Sequence, residues 1–300
     1  MMRWPLLLLA GLACVLADLP ENFEYATNSF VSDFVTSPVY PSQDPLPHVV
    51  HSTIIKHLPD QDLTVHLVRL TNPLLHFHVY PSLTGCPGRN RTSDNAQARG
   101  CFIAGNAGFF DTHTGACLGH VVSEGHLVQL DAQMHPSLAL SRTTQRWAVG
   151  YMNEVDIVPQ GQNLVYDEVV NGIGWLVREG QPYLNTSQSA EKISQAFVNL
   201  FAPRMAAGHD INGQFLMLEV DGLESANLGA KLTVMTELAL EYGLYNAINL
   251  DGGGSTTVYM EGAVRNRCCD KCAAGHEAEH CPAGWDGACQ RAVTTILCIR

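Results

Sequence analysis

The sequence predicts an α+β fold: mixed, largely antiparallel β-sheets with a few packed helices, in one disulfide-stapled domain. Three observations carry this. Short runs of alternating apolar residues recur along the chain, bounded by Gly, Pro, Asn and Asp. Only two longer segments, 189–200 and 228–242, show clear helical spacing. No repeat period and no low-complexity linker divides the 300 residues, which suffice for one large core.

Residues 1–17 combine a basic start at Arg3, an apolar run over 5–16 and the small residue Ala17, the pattern of a secretory signal peptide. That run is too short for a permanent anchor, and no later stretch reaches about 18 apolar residues, so no membrane span is expected in the mature chain. Residues 18–48, rich in Pro, Ser, Asn and acids, read as an extended, loop-rich lead-in to a body that runs to residue 300. Between 49 and 80, loose alternation suggests two or three strands with Asn72-Pro73 as a turn. His76 and His78 would share a strand face there, more readily as surface or core histidines than as a zinc pair.

A helical turn or two is expected over 93–99. A buried strand over 101–104 leads to Asn106, read as facing a pocket, and a hairpin over 117–130 carries His120. Strands follow over 138–150 and 173–184, the latter a hairpin about Arg178-Glu179-Gly180-Gln181. Ile193, Ala196, Phe197 and Leu200 have helical spacing, with Pro203 as the stop. A second hairpin turns at Asp210-Ile211-Asn212-Gly213 and places Arg204, His209 and Asp210 near one end. Leu228, Leu232, Met235, Leu238, Ala239 and Tyr242 lie on one helical face, ended by Gly243.

That helix feeds the stretch NAINLDGGGSTTVYMEG, residues 246–262. An apolar strand reaches Asp251, then Gly252, Gly253 and Gly254, then Ser255 and Thr256. Three consecutive glycines lose much conformational entropy on folding and suit a backbone that something must approach closely. One carboxylate, several N–H groups and two hydroxyls at one bend suit a polyol or a phosphate. The plainer reading is a glycine-rich hairpin corner with solvated polar residues. A phosphate loop of the Walker kind needs a Lys after the glycines and a helix opening there, and this stretch has neither.

The net charge of −12 leaves no basic stripe for nucleic acid. A hydrophobic content of 46% and a mean hydropathy near zero describe an ordinary globular protein. Of ten cysteines, Cys14 leaves with the leader; an oxidising lumen makes most of the remaining nine disulfides. The odd number leaves at least one free or paired to a second chain, so a homo-oligomer, disulfide-linked or not, stays open. The cluster Cys268, Cys269, Cys272, His276, His280 and Cys281 has irregular spacing, which favours disulfides over a zinc knuckle. Asn90 and Asn185 head glycosylation sequons. Neither a G-x-S-x-G elbow nor H-E-x-x-H is present. What remains is a dispersed set, Asn106, Arg204, His209, Asp210, Asp251 and Ser255 with the three glycines, plausible as an anionic-sugar site. Singly, Arg204 reads as a surface ion pair and Asp210 as a turn residue.

Four segments in register, NAGFF at 106, CLGHVVSEG at 117, PRMAAGHDINGQ at 203 and NAINLDGGGSTT at 246, resemble the phosphodiester glycosidase family over residues 86–300. The resemblance implies removal of N-acetylglucosamine from a phosphodiester on mannose, exposing mannose 6-phosphate. The partners implied are the phosphorylated high-mannose glycans of lysosomal enzymes. It also implies a Golgi setting and disulfides Cys86–Cys117, Cys101–Cys298 and Cys281–Cys289. Two positions depart from the family pattern: Ala107 follows the asparagine where a glycine is usual, and His120 stands where a related chain has Asn. The chain stops at Arg300 without the EGF-like region, membrane span and sorting tail of animal members, so the expectation is Golgi lumen or secretion. On this reading Arg204, aided by His209, contacts phosphate. Asp251 stabilises C1 or positions water. Asn106, Gly252, Gly253, Gly254, Ser255 and Thr256 bind substrate, and no cofactor or metal takes part. Two rival readings are a secreted phosphoglycan-binding module without turnover and a phosphodiesterase that cuts the P–O bond.

Overall fold

The computed structural model describes residues 30–40, 46–160, 163–272 and 288–300. The expected leader and Cys281 lie outside the described residues. Three antiparallel sheets form the body. A seven-stranded sheet runs, edge to edge, Gln181–Pro182, Trp175–Arg178, Asn246–Leu250, Arg204–His209, Phe215–Val220, Asp62–Leu70 and Val49–His57. A five-stranded sheet orders Ala263–Val264, Val258–Met260, Ile103–Asn106, Thr295–Ile299 and Phe77–Pro81. A six-stranded sheet orders Asp33–Pro38, Arg146–Tyr151, Pro136–Ser141, Glu168–Asn171, Val121–Ser123 and His126–Gln129. The lead-in is therefore not all loop: it supplies the edge strand Asp33–Pro38.

All three sheets face one core. Phe77 meets Trp147 edge-on at 5.2 Å and Phe215 at 4.6 Å, and Trp175, Ile248, Leu250 and Leu297 join the same cluster. The strands Arg204–His209 and Phe215–Val220 are buried on both faces, which explains their nearly continuous apolar reading. Their parity divides the sides cleanly. Met205, Ala207, Phe215 and Met217 point into the shared core. Ala206, Leu216, Leu218 and Val220 pack outward under Leu232, Met235, Leu238 and Ala239 of the helix Leu232–Glu241.

That helix begins at Leu232, later than the periodicity suggests: Leu228 instead bridges to Leu223, and Gly243, at φ +89°, ends the helix as expected. The 189–200 segment is not one helix. Leu184–Glu191 stops where Lys192 turns left-handed, and Ser194 then caps Gln195–Asn199 by accepting from the Phe197 N–H. His76 and His78 do not share a strand face either. His76 sits in the helical turn Pro73–His76 and bonds the Arg300 carbonyl, while His78 lies in the strand beside Glu168.

Cys86–Cys117 and Cys101–Cys298 form as the resemblance implies. The third implied pairing is overturned: Cys289 joins Cys272, not Cys281. The short strands Asp270–Lys271 and Ala288–Cys289 pair and hold those two cysteines together, a register that sequence spacing does not reveal. No described helix is long and apolar enough to cross a membrane. Cys101–Cys298 ties residues 197 apart in sequence, so removing both sulfurs should cost about 3–5 kcal/mol of stability in a denaturant titration. Peptide mapping without reduction should recover Cys272 linked to Cys289; recovery of Cys281–Cys289 would overturn the tail's geometry.

Candidate active site

The site grows from the end of one central strand. Asn246–Leu250 pairs with Arg204–His209 so that Leu250 lies opposite Met205, and the chain then leaves the seven-stranded sheet at Asp251. Residues 251–257 cross to Val258–Met260, which pairs with Ile103–Asn106 in the five-stranded sheet. The loop is thus the seam between two sheets, and two wholly buried asparagines clamp it. The Asn106 amide donates to the Asp251 carbonyl at 2.7 Å, and its Oδ1 accepts from the Thr257 N–H at 3.0 Å. Asn266 Oδ1 accepts from the Val258 N–H at 2.6 Å, and its amide donates to the Thr256 carbonyl at 3.1 Å. Each side chain uses both a donor and an acceptor, which neither Asp nor Leu could reproduce.

The three glycines admit protein groups. A Cβ on Gly252 would stand 2.6 Å from the Pro203 carbonyl. Gly253, at φ +57°, lies directly under the Glu224 carboxylate, and Gly254 lies against the Arg291–Asp270 ion pair. Gly253, Gly254, Ser255 and Thr256 are buried, so the substrate contacts expected of them are closed in this conformation. Asp251 and Gly252 remain half-exposed, with Glu224 exposed beside them on the short 3-10 turn Glu224–Ala226. This edge is where the loop meets solvent.

The electrostatics centre on Asp251. Burial pushes its carboxyl up to about 6, against the Ser255 hydroxyl, the Arg291 cation and the Gly252 N–H, which all favour the ionised form; Glu224 adds a small upward push. Arg291 grips Asp270 bidentately at 3.1 and 3.0 Å and reaches the Ser255 hydroxyl at 3.5 Å. Cys269 is a free thiol that donates to the Gly253 carbonyl at 3.1 Å. Its burial raises the thiol to about 12, so it is not a thiolate nucleophile at neutral pH.

The structure does not bring the expected residues together as a set. Arg204 and His209 occupy opposite ends and opposite faces of one strand, about 17 Å of backbone apart. Arg204 is beside the loop, but its Nε donates to the Ala230 carbonyl, and Nη2 donates to the Phe197 and Leu200 carbonyls. Its guanidinium also lies 4.8 Å from the centre of the Phe197 ring. Arg204 therefore ties the end of a helix to the loop's underside, and burial lowers its pKa to about 10. His209 stacks on Trp147, and both ring nitrogens are engaged, by the Asp210 carbonyl and by Asn246. Burial lowers it to about 4, so it is neutral and remote from Asp251. His120 is also buried: Nδ1 accepts from the Asp131 N–H, which leaves Nε2 to donate to the Met152 carbonyl. Asp210 accepts from the Asn212 and Gln214 N–H groups as a turn residue and pairs with Arg69. Asn106 faces the loop backbone, not a pocket.

The residues that sequence reading missed are Glu224, Asn266, Asp270 and Arg291. Arg291 comes from the cysteine-rich tail, 40 positions from Asp251, with no spacing to betray it. Glu224 had a weak signal, an acid at the end of Asp221-Gly222-Leu223-Glu224 just after a strand.

A model of the family described as phosphodiester glycosidase matches residues 99–299. The chain is 33% identical over 264 residues to the N-acetylglucosamine-1-phosphodiester alpha-N-acetylglucosaminidase of Mus musculus, covering 84% of this chain and 48% of the relative. It is 32% identical over 259 residues to the Homo sapiens protein of that name, covering 82% and 48%. The chain thus spans about half the length of the curated relatives it matches. Among solved structures it is similar to the auto-inhibited catalytic domain of the zebrafish protein of that name, with a TM-score of 0.77, 28% identity and coverage of 90% and 88%. A hypothetical protein from Synechocystis shares the fold, with a TM-score of 0.62, 15% identity and coverage of 84% and 62%.

Removing the clamp should be felt globally. Asn106→Ala leaves the Asp251 carbonyl and the Thr257 N–H unsatisfied in the interior, and about 2–4 kcal/mol should be lost in urea denaturation. A wild-type midpoint would contradict the clamp.

Proposed function

The chain belongs to the phosphodiester glycosidase family, and from that premise we propose that it hydrolyses a GlcNAc-α-1-phosphodiester on mannose. The product would be mannose 6-phosphate exposed on the glycans of lysosomal enzymes. The observation that carries this reading is Asp251, a partly exposed residue at the lip of the clamped loop whose carboxyl is desolvated, with the Arg291 cation and the Glu224 carboxylate beside it.

The bond broken joins sugar C1 to a phosphate oxygen. The leaving group is a phosphate monoester with a second pKa near 6, which departs as an anion without a strong general acid. The demand falls on stabilising positive charge at C1 and on holding the phosphate. Asp251, ionised above about pH 6, supplies negative charge at C1. Arg291, part-exposed beside Gly254, holds the phosphate, and Arg204 braces the backbone beneath Gly252. Glu224, exposed across Gly253, is placed to take a proton from water. The disulfides suit an oxidising compartment, the Golgi lumen or the exterior. Asn185, exposed on its helix, is the better placed glycan acceptor; Asn90 is half-buried, with Oδ1 accepting from the Leu83 N–H.

Asp251→Asn should lower kcat/KM on a GlcNAc-phosphomannose substrate by about 100-fold or more. Its effect on stability has the opposite sign. A carboxyl raised in the folded state to about 6 stabilises below its unfolded value and loses that contribution as pH rises through about 6. At pH 7 the amide should therefore leave the melting temperature unchanged or raise it. Substantial activity in folded Asp251→Asn would falsify the assignment, and release of GlcNAc-1-phosphate instead of GlcNAc would turn the reading to P–O cleavage.

A pH profile gives a second check. Activity should fall below about pH 6 as Asp251 protonates, and Arg291→Gln, which removes a cation favouring the carboxylate, should move that limb to higher pH. An unmoved limb would separate Arg291 from the site.

A further inference from the structure

Behind the loop, on the neighbouring pair of strands, lies a cluster the proposed reaction does not use. His66 on Asp62–Leu70 stands directly across from Glu219 on Phe215–Val220. Asp221 follows two residues later, so strand alternation sends both carboxylates toward the imidazole. His66, Glu219 and Asp221 are 3%, 0% and 7% exposed, and one ligand atom from each lies within 4.8 Å of the others.

The hydrogen bonds leave the inward atoms to one another. Glu219 Oε1 accepts from the Asn266 amide at 3.3 Å, while Oε2 has no hydrogen-bond partner among the described residues. Asp221 Oδ1 accepts from the Arg267 N–H at 2.7 Å, and Oδ2 stands 4.0 Å from His66 Nε2, which has no hydrogen-bond partner among the described residues either. The outer nitrogen of His66 is engaged: Nδ1 lies 3.1 Å from Nε2 of the stacked His51 and 3.4 Å from the Thr53 hydroxyl. An Nδ1–H donating to His51 leaves Nε2 with its lone pair directed at the two carboxylates, the outer bond that metal-ligating histidines ordinarily make. Two buried carboxylates side by side are costly unless a proton or a cation joins them, and the unpartnered His66 Nε2 aimed at the pair supplies the third ligand that a metal ion needs.

We propose that His66, Glu219 and Asp221 bind one divalent transition-metal ion, with Zn2+ the reference ion, at a structural site distinct from the Asp251 edge. One imidazole and two carboxylates form an N/O set suited to zinc or manganese, whereas calcium and magnesium take oxygen ligands. An ion about 2.1 Å from each ligand would draw them together by roughly 1 Å. The ion would rivet two strands of the large sheet to residues 266 and 267. Asn266 is the same residue that clamps Thr256 and Val258, so the ion stiffens the loop from behind.

The test uses the purified full chain at pH 7, stripped with EDTA and then dialysed against micromolar Zn2+. Elemental analysis should find one tightly held ion per chain, and the melting temperature should rise by at least about 5 °C on loading. Glu219→Gln and Asp221→Asn, checked as folded by circular dichroism, should each lower retained zinc at least tenfold, whereas Asp251→Asn should keep it. Wild type that retains less than a tenth of an equivalent of zinc or manganese, with an unmoved melting temperature, overturns the site. So does a folded Glu219→Gln that holds zinc as wild type does, or binding of calcium alone. None of these readouts depends on turnover, so the metal site and the glycosidase reading fail separately.

Discussion

The structure depends on the way residues 251–257 are held between two sheets. A loop that leaves one sheet at Leu250 and enters another at Val258 has backbone groups that neither ladder can satisfy. Asn106 and Asn266 satisfy them with four hydrogen bonds between 2.6 and 3.1 Å. Because the clamp is buried, the Asp251 backbone has one position, and its desolvated carboxyl is held at a defined place beside the loop's exposed edge. The glycines belong to the same constraint. They let the Pro203 carbonyl, Glu224 and the Arg291–Asp270 pair press against the loop, so two further carboxylates and a cation sit beside Asp251.

Much of the architecture was legible before the coordinates. The nearly continuous apolar run of 215–220 and the 3.6 period in 232–239 report burial directly, the first of a strand covered on both faces and the second of a helix covered on one. Turns such as Glu179-Gly180, both at positive φ, follow from local chemistry. The site was legible only in part. Asp251 and the glycines announce themselves, and Arg204 does lie under Gly252. The face a side chain takes, however, depends on parity along a strand. Arg204 and His209 are five residues apart, an odd number, so pleating sends them to opposite faces, and length sends them to opposite ends. Arg291 was illegible for a different reason. It reaches the loop through the cysteine-rich tail, whose path depends on Cys272–Cys289 and the small ladder beside it.

These features show how a weakly helical, strand-rich chain can hold the candidate site without a deep helical scaffold. The loop with Asp251, the Glu224 turn and the Arg291 cation come from three remote segments of the chain. Burial that raises Asp251 to about 6 also costs stability at neutral pH, the relation expected of a carboxylate that serves the proposed reaction.

The most direct test is a crystal structure of Asp251→Asn with a GlcNAc-phosphomannose substrate bound. The account predicts sugar C1 within about 3.5 Å of the residue 251 side chain, with a phosphate oxygen on the Arg291 side of the loop. A substrate seated away from residue 251, or a phosphate held at the His209 end of the strand, would contradict it.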